Sequence, residues 1–141
     1  VARKLARESA MKLVYERMMG GDGIGTLQSL KEYPILSEND KQYIDRVMSG
    51  VKDHALNIDK IIEQSAIDWK VNRMPKVDLA ILRLGAYEIL YMEDIPPSVT
   101  ANECVEIAKK YGEEKSPRFI NGVLGNIIAS IGGDRVKRPE K

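Results

Sequence analysis

Apolar residues return along this chain every three to four positions, almost from end to end, which is the spacing of helices with one buried face. From about Arg3 to Met19 the stripe is Ala6, Ala10, Leu13, Val14 and Met18, and Gly20-Gly21-Asp22-Gly23 stops it. Ile24, Leu27 and Leu30 predict a short second helix, ended by Tyr33-Pro34. Ser37-Glu38-Asn39-Asp40 is an N-cap signal. The pattern that follows, Ile44, Val47, Met48, Val51, Ala55, Ile58, Ile62 and Ala66 to Trp69, predicts one long amphipathic helix with a bend at Gly50. Arg73-Met74-Pro75 marks a break and a restart.

Val77 to Met92 is apolar almost all round, interrupted only by Asp78, Arg83 and Glu88, and so belongs in the middle of a bundle. After the rigid Ile95-Pro96-Pro97 loop, Thr100-Ala101-Asn102-Glu103 reads as a capping box. The helix it opens ends at Tyr111-Gly112, where glycine suits a left-handed C-cap. Ser116-Pro117 caps a last helix that runs to Ile131, before Gly132-Gly133. With no strand period, repeat or low-complexity block, the expected fold is all-α: a single compact bundle of about seven helices over residues 1–133. Residues 134–141 carry no packing pattern and are expected to form a flexible basic tail.

A chain of 141 residues, 43% hydrophobic and 30% charged, can bury one sizeable core without disulfides. It has no apolar run long enough to span a bilayer and no signal-peptide pattern, so no membrane role is expected. The single cysteine, Cys104, fits a reducing cytoplasm. The net charge of +1 hides an uneven distribution. Residues 1–21 hold five bases against two acids, residues 22–68 nine acids against five bases, and residues 69–141 twelve bases against ten acids. A basic first helix and an acidic middle give the molecule two different faces.

Catalytic chemistry is hard to find. His54 is the only histidine and is read as a solvated helix residue. No zinc-ligand spacing, phosphate-loop motif or nucleophile elbow is present, so no metal, no cofactor and no enzymatic activity are expected. Gly122 and Gly125, mid-helix, are read as permitting close helix–helix approach.

What remains is a binding surface. Arg3, Lys4 and Arg7 fall within one helical turn and suit phosphate contacts, although a solvated face is the ordinary fate of three such charges. Lys109, Lys110, Lys115 and Arg118 form a second cluster, diluted by Glu113 and Glu114 and flanked by Tyr111 and Phe119. Phe119 is the only phenylalanine. It is open to two readings: a core ring, or a partly exposed ring on which a base of single-stranded RNA stacks.

Several short motifs follow one another in a fixed order. They are Ala6-Arg7-Glu8-Ser9-Ala10 with Leu13 and Tyr15; Gly50-Val51; Ile58-Asp59; Val77-Asp78; Ile81-Leu82-Arg83-Leu84; and Ala86-Tyr87-Glu88. Ile95-Pro96, Asn102-Glu103, Glu106-Ile107-Ala108-Lys109, Tyr111-Gly112 and Phe119-Ile120-Asn121-Gly122-Val123-Leu124 complete the series. In this order the chain resembles the NusB family of transcription antitermination factors, from about Arg3 to Ile128. The resemblance implies an all-helical protein that binds boxA single-stranded RNA together with the ribosomal protein NusE. That complex joins RNA polymerase and suppresses termination, notably on ribosomal RNA operons.

Position by position, the resemblance implies RNA contacts at Arg3, Lys4, Arg7 and Phe119 with Arg118, and a NusE contact at Tyr15 and Asp78. With the second cluster, the expected RNA-binding set is Arg3, Lys4, Arg7, Lys109, Tyr111, Lys115, Arg118 and Phe119. Two departures stand out: Leu5-Ala6 thins the basic start, and Gly125 replaces an acid frequent in the family. Self-association into a homodimer over the same basic face is left open by the sequence. So are two other readings, the RNA-binding domain of a ribosomal RNA methyltransferase and a protein–protein adaptor.

Overall fold

Helix α1 (Ala2–Met18) buries Ala6, Ala10, Leu13 and Val14, the stripe its spacing predicts, and Gly20 at φ +94° turns the chain away. The computed structural model of the chain describes residues 2–21 and 36–133. The expected short helix around Ile24–Leu30 and the expected tail from Asp134 lie outside the described residues.

Helix α2 (Glu38–Asp53) starts as expected, with the Ser37 side chain accepting from the Asp40 amide at 3.1 Å. The single long helix expected from Ile44 to Trp69 is instead two, α2 and α3 (Ala55–Ser65), and the break falls at His54 rather than Gly50. The cause is the neighbouring tyrosine pair. The His54 ring stacks on Tyr91 with centroids 4.1 Å apart, so His54 is not simply solvated. Asn57 Nδ2, one turn further on, donates to the Tyr91 hydroxyl at 2.6 Å. Gly50 has a different task. A Cβ there would sit 2.1 Å from a Tyr87 ring carbon, so only glycine lets that ring lie against α2.

A 3₁₀ turn (Val71–Arg73) leads to α4 (Lys76–Tyr91), which has 13 buried residues and packs against α1, α2 and α3. It also packs against the final pair, α5 (Pro97–Tyr111) and α6 (Ser116–Ser130), and is the central helix its all-round apolarity predicts. Each fully buried leucine or isoleucine on it contributes about 1.5–3 kcal/mol.

Three local expectations are corrected. Helix α5 opens at Pro97, three residues before the expected capping box, because a proline at the first position has its φ preset and needs no amide partner. Thr100 is therefore inside the first turn and buried, and its hydroxyl donates to Glu88 Oε1 at 2.8 Å. Gly112 is extended, at φ −91° and ψ −171°, and is glycine because a Cβ would meet Ser116 Cβ at 2.6 Å. Gly122 and Gly125 have nothing within 4 Å of an added Cβ, whereas Gly85 lies close against Leu124 and Cys104.

Among the described residues there are six α-helices and no strand, so the all-α expectation holds; the expected helix around Ile24–Leu30 is on residues not described.

Candidate nucleic-acid interface

The basic start of α1 divides into one inward, one tethered and one outward cation. Arg7 is buried, and its guanidinium makes two bonds to Glu88, Nε to Oε2 at 2.8 Å and Nη2 to Oε1 at 3.0 Å. The Tyr43 hydroxyl donates to the same carboxylate, as does Thr100. Burial works against charge on Arg7, yet the hydrogen bond and field of Glu88 prevail and raise its pKa. The expectation that Arg7 offers a surface contact is thus corrected: it is a core cation. Arg3 bonds Asp40 at 3.2 Å and lies 4.5 Å over the Tyr43 ring. Lys4 alone points out, its side chain 53% exposed and 3.7 Å from Glu103.

At the C-terminal end of α5 the second cluster separates in the same way. Tyr111 is half-buried. Its hydroxyl donates to Glu8 at 2.7 Å, and its ring lies under the Lys12 and Lys110 ammonium groups at 5.1 and 5.3 Å. Lys110 bonds Glu8 at 2.9 Å. Burial alone would raise the Glu8 pKa, but Lys110 and Tyr111 hold it below the ordinary range, and Lys110 is raised in return. Tyr111 therefore ties α5 to α1 rather than joining Phe119 in one aromatic turn. Lys109 stays exposed beside Glu106, and Lys115 and Arg118 are exposed around the start of α6.

Phe119 is half-buried, and its partner is Trp69, a residue sequence reasoning treated only as the end of a hydrophobic pattern. The two rings meet edge to face with centroids 5.8 Å apart. Trp69 is 47% exposed. It follows Ile67 and Asp68, both in the left-handed region at φ +36° and +68°, which is rare for any side chain and strained for a β-branched one. The turn is held from both sides. Asn126 donates to the Ser65 carbonyl at 2.8 Å, and Glu63 accepts from the Val71 amide at 2.8 Å. A sequence signal existed: a lone tryptophan on a short Asp-containing segment between two helices.

The rings border a groove of about 730 Å³ that also involves Asp78, Ser116, Lys115 and Arg118. Asp78 is its floor, not a surface acid, at 3% exposure. The Ser116 hydroxyl donates to Asp78 Oδ1 at 2.7 Å and accepts from the Glu113 amide at 2.9 Å, so Ser116 braces the groove instead of capping α6. Burial pushes the Asp78 carboxyl above the usual range, the Ser116 hydrogen bond pulls it back, and the charge of Glu113 adds to the rise. Arg118 also borders a shallower groove past Asn121 and Lys109, and Lys4 and Lys109 border the next one toward α1. A track thus runs from Lys4 past Lys109 and Arg118 to the ring pair. Tyr15 stands half-buried on α1, apart from the ring groove.

The surface offers cations for phosphates and flat rings for bases, and the carboxylate is too buried to work on solvent-borne substrate. Among the described residues no group of three His, Cys, Asp or Glu side chains is placed to hold a metal ion, and no helix is long and apolar enough to cross a membrane.

Residues 4–129 match the model of the NusB family. The chain is 44% identical over 129 residues to the transcription antitermination protein NusB of Clostridium acetobutylicum, covering 91% of this chain and 96% of that one. NusB of T. maritima superposes with a TM-score of 0.80 at 33% identity, over 92% of both chains. A chain from the crystal structure of antitermination factors NusB and NusE in complex with dsRNA superposes with a TM-score of 0.79 at 28% identity. It covers 92% of this chain and 97% of that one.

Proposed function

The chain belongs to the NusB family, and from that premise we propose that it is a transcription antitermination factor which binds boxA-type single-stranded RNA together with NusE. In the cytoplasm, the resulting complex joins RNA polymerase and suppresses termination, notably on ribosomal RNA operons. The protein acts by binding and catalyses no reaction. The observation that carries the reading is the pair of an exposed Trp69 and a half-buried Phe119 at the end of a track of cations. Lys4, Lys109, Lys115 and Arg118 neutralise phosphates, while Phe119 and Trp69 stack bases. Arg3, Arg7 and Tyr111 contribute indirectly, by fixing α1 against α2, α4 and α5 so that the track keeps its shape. Tyr15, half-buried near the end of α1, marks the side offered to NusE.

Base–aromatic stacking is worth about 1–3 kcal/mol per ring. Phe119→Ala should therefore weaken boxA binding about tenfold or more in a fluorescence-anisotropy titration with NusE present. Unchanged RNA affinity with a lowered melting temperature would return Phe119 to a plain packing role.

A further inference from the structure

We propose that the groove enclosed by the C-terminal half of α1, the α2–α3 junction and the middle of α4 docks an acidic amphipathic helix from a second protein. The groove holds about 280 Å³, room for one or two large apolar side chains rather than a folded domain. Its floor is aliphatic: Val14, Val51 and Ile58, buried side chains from three different helices, meet there. Around that floor the charge is one-sided. Arg17, Lys52 and Arg83 border it against a single carboxylate, Asp59, which Arg83 already holds with two hydrogen bonds of 2.9 Å. Arg17 is exposed, yet its Nη1 donates to the Met48 carbonyl at 3.0 Å, which fixes the guanidinium in place before any partner arrives. Lys52 is exposed and makes no ion pair among the described residues.

Positive charge around an apolar floor complements a segment that carries carboxylates beside apolar anchors. Because helices wall the groove, it accepts the ridge of another helix, with anchors three and four residues apart. RNA is the weaker fit. The floor offers no ring on which a base stacks, and no residue borders both this groove and those of the cation track. Arg17 follows Glu8 by nine positions on α1, which carries it half a turn round the helix, so the two surfaces face apart. Both can be occupied together, and the docking groove stands independently of the RNA reading.

The test is an anisotropy titration of the full chain against a fluorescein-labelled helical peptide about four turns long, with leucines three and four apart among glutamates. Saturable binding is expected. It should weaken about tenfold with Arg17→Glu or Lys52→Glu, the loss of one charge-assisted contact, and disappear with Ala55→Trp, which fills the groove from an exposed position. Two control peptides judge the unaltered protein, whether or not a variant folds. Lysines in place of the glutamates, or alanines in place of the leucines, should each weaken binding about tenfold. No saturable binding, equal binding of either control peptide, or binding indifferent to all three substitutions overturns the proposal. So does a decauridylate whose affinity falls with Lys52→Glu as far as the peptide's, which would assign the groove to RNA. A dimer seen in light scattering that Ala55→Trp dissolves would assign it to a second copy of the chain and overturn it equally.

Discussion

Glu88 gathers Arg7, Tyr43 and Thr100 around one carboxylate with no exposed surface, joining α1, α2, α4 and α5 at a single point. Removing one partner of such a buried pair strands the other charge, at about 3–5 kcal/mol. Glu88→Ala should lower stability by that amount in denaturant melts, and an effect near zero would mean that Arg7 finds water. This pairing was partly legible: Arg7 shares the stripe of Ala10 and Val14, and Glu88 is a lone acid deep in an apolar helix. Which of Arg3, Lys4 and Arg7 turns inward was not legible, because the choice depends on where α4 lies. Asp78 makes the opposite contribution. Burial raises its folded pKa above the ordinary value, so its ionisation opposes folding at neutral pH, and the penalty fades as pH falls through the raised value. Asp78→Asn should accordingly raise the melting temperature at pH 7 and lose that advantage in acid, near the ordinary value of 3.8.

Helix boundaries show why periodicity reads faces better than ends. The apolar stripe runs unbroken through His54, since both α2 and α3 bury theirs against the same core, and only the stacking of His54 on Tyr91 reveals the break. Likewise the capping box at Thr100 lost to Pro97, a start signal three residues earlier. The glycines of α6 sit in open space, so Gly122→Ala and Gly125→Ala should each stabilise the protein by about 0.5–1 kcal/mol through helix propensity. Gly50→Ala should do the reverse, by about 1–3 kcal/mol, as the Tyr87 ring is forced aside. Thermal melts of the three variants check both signs together.

At the scale of the molecule, the bundle was written in the all-round apolarity of α4, which can be satisfied only by surrounding it with the other helices. The interface was half written. Its cations and Phe119 lie close together in sequence, but Trp69 arrives from the turn after α3, about fifty residues earlier in the chain, and only the packing of α3 against α6 brings the two rings together. A net charge of +1 likewise says nothing of a track on which Lys4, Lys109 and Lys110 each pair with a glutamate while Lys115 and Arg118 stand exposed at the start of α6. Phosphate neutralisation along that track releases counterions, so RNA affinity must fall as salt rises. The most direct measurement is therefore a titration of boxA and scrambled RNA, with NusE present, across a series of salt concentrations. Tighter binding of boxA, weakening steadily with salt, is expected. Equal affinity for the two RNAs, or affinity indifferent to salt, would contradict an RNA track on this face.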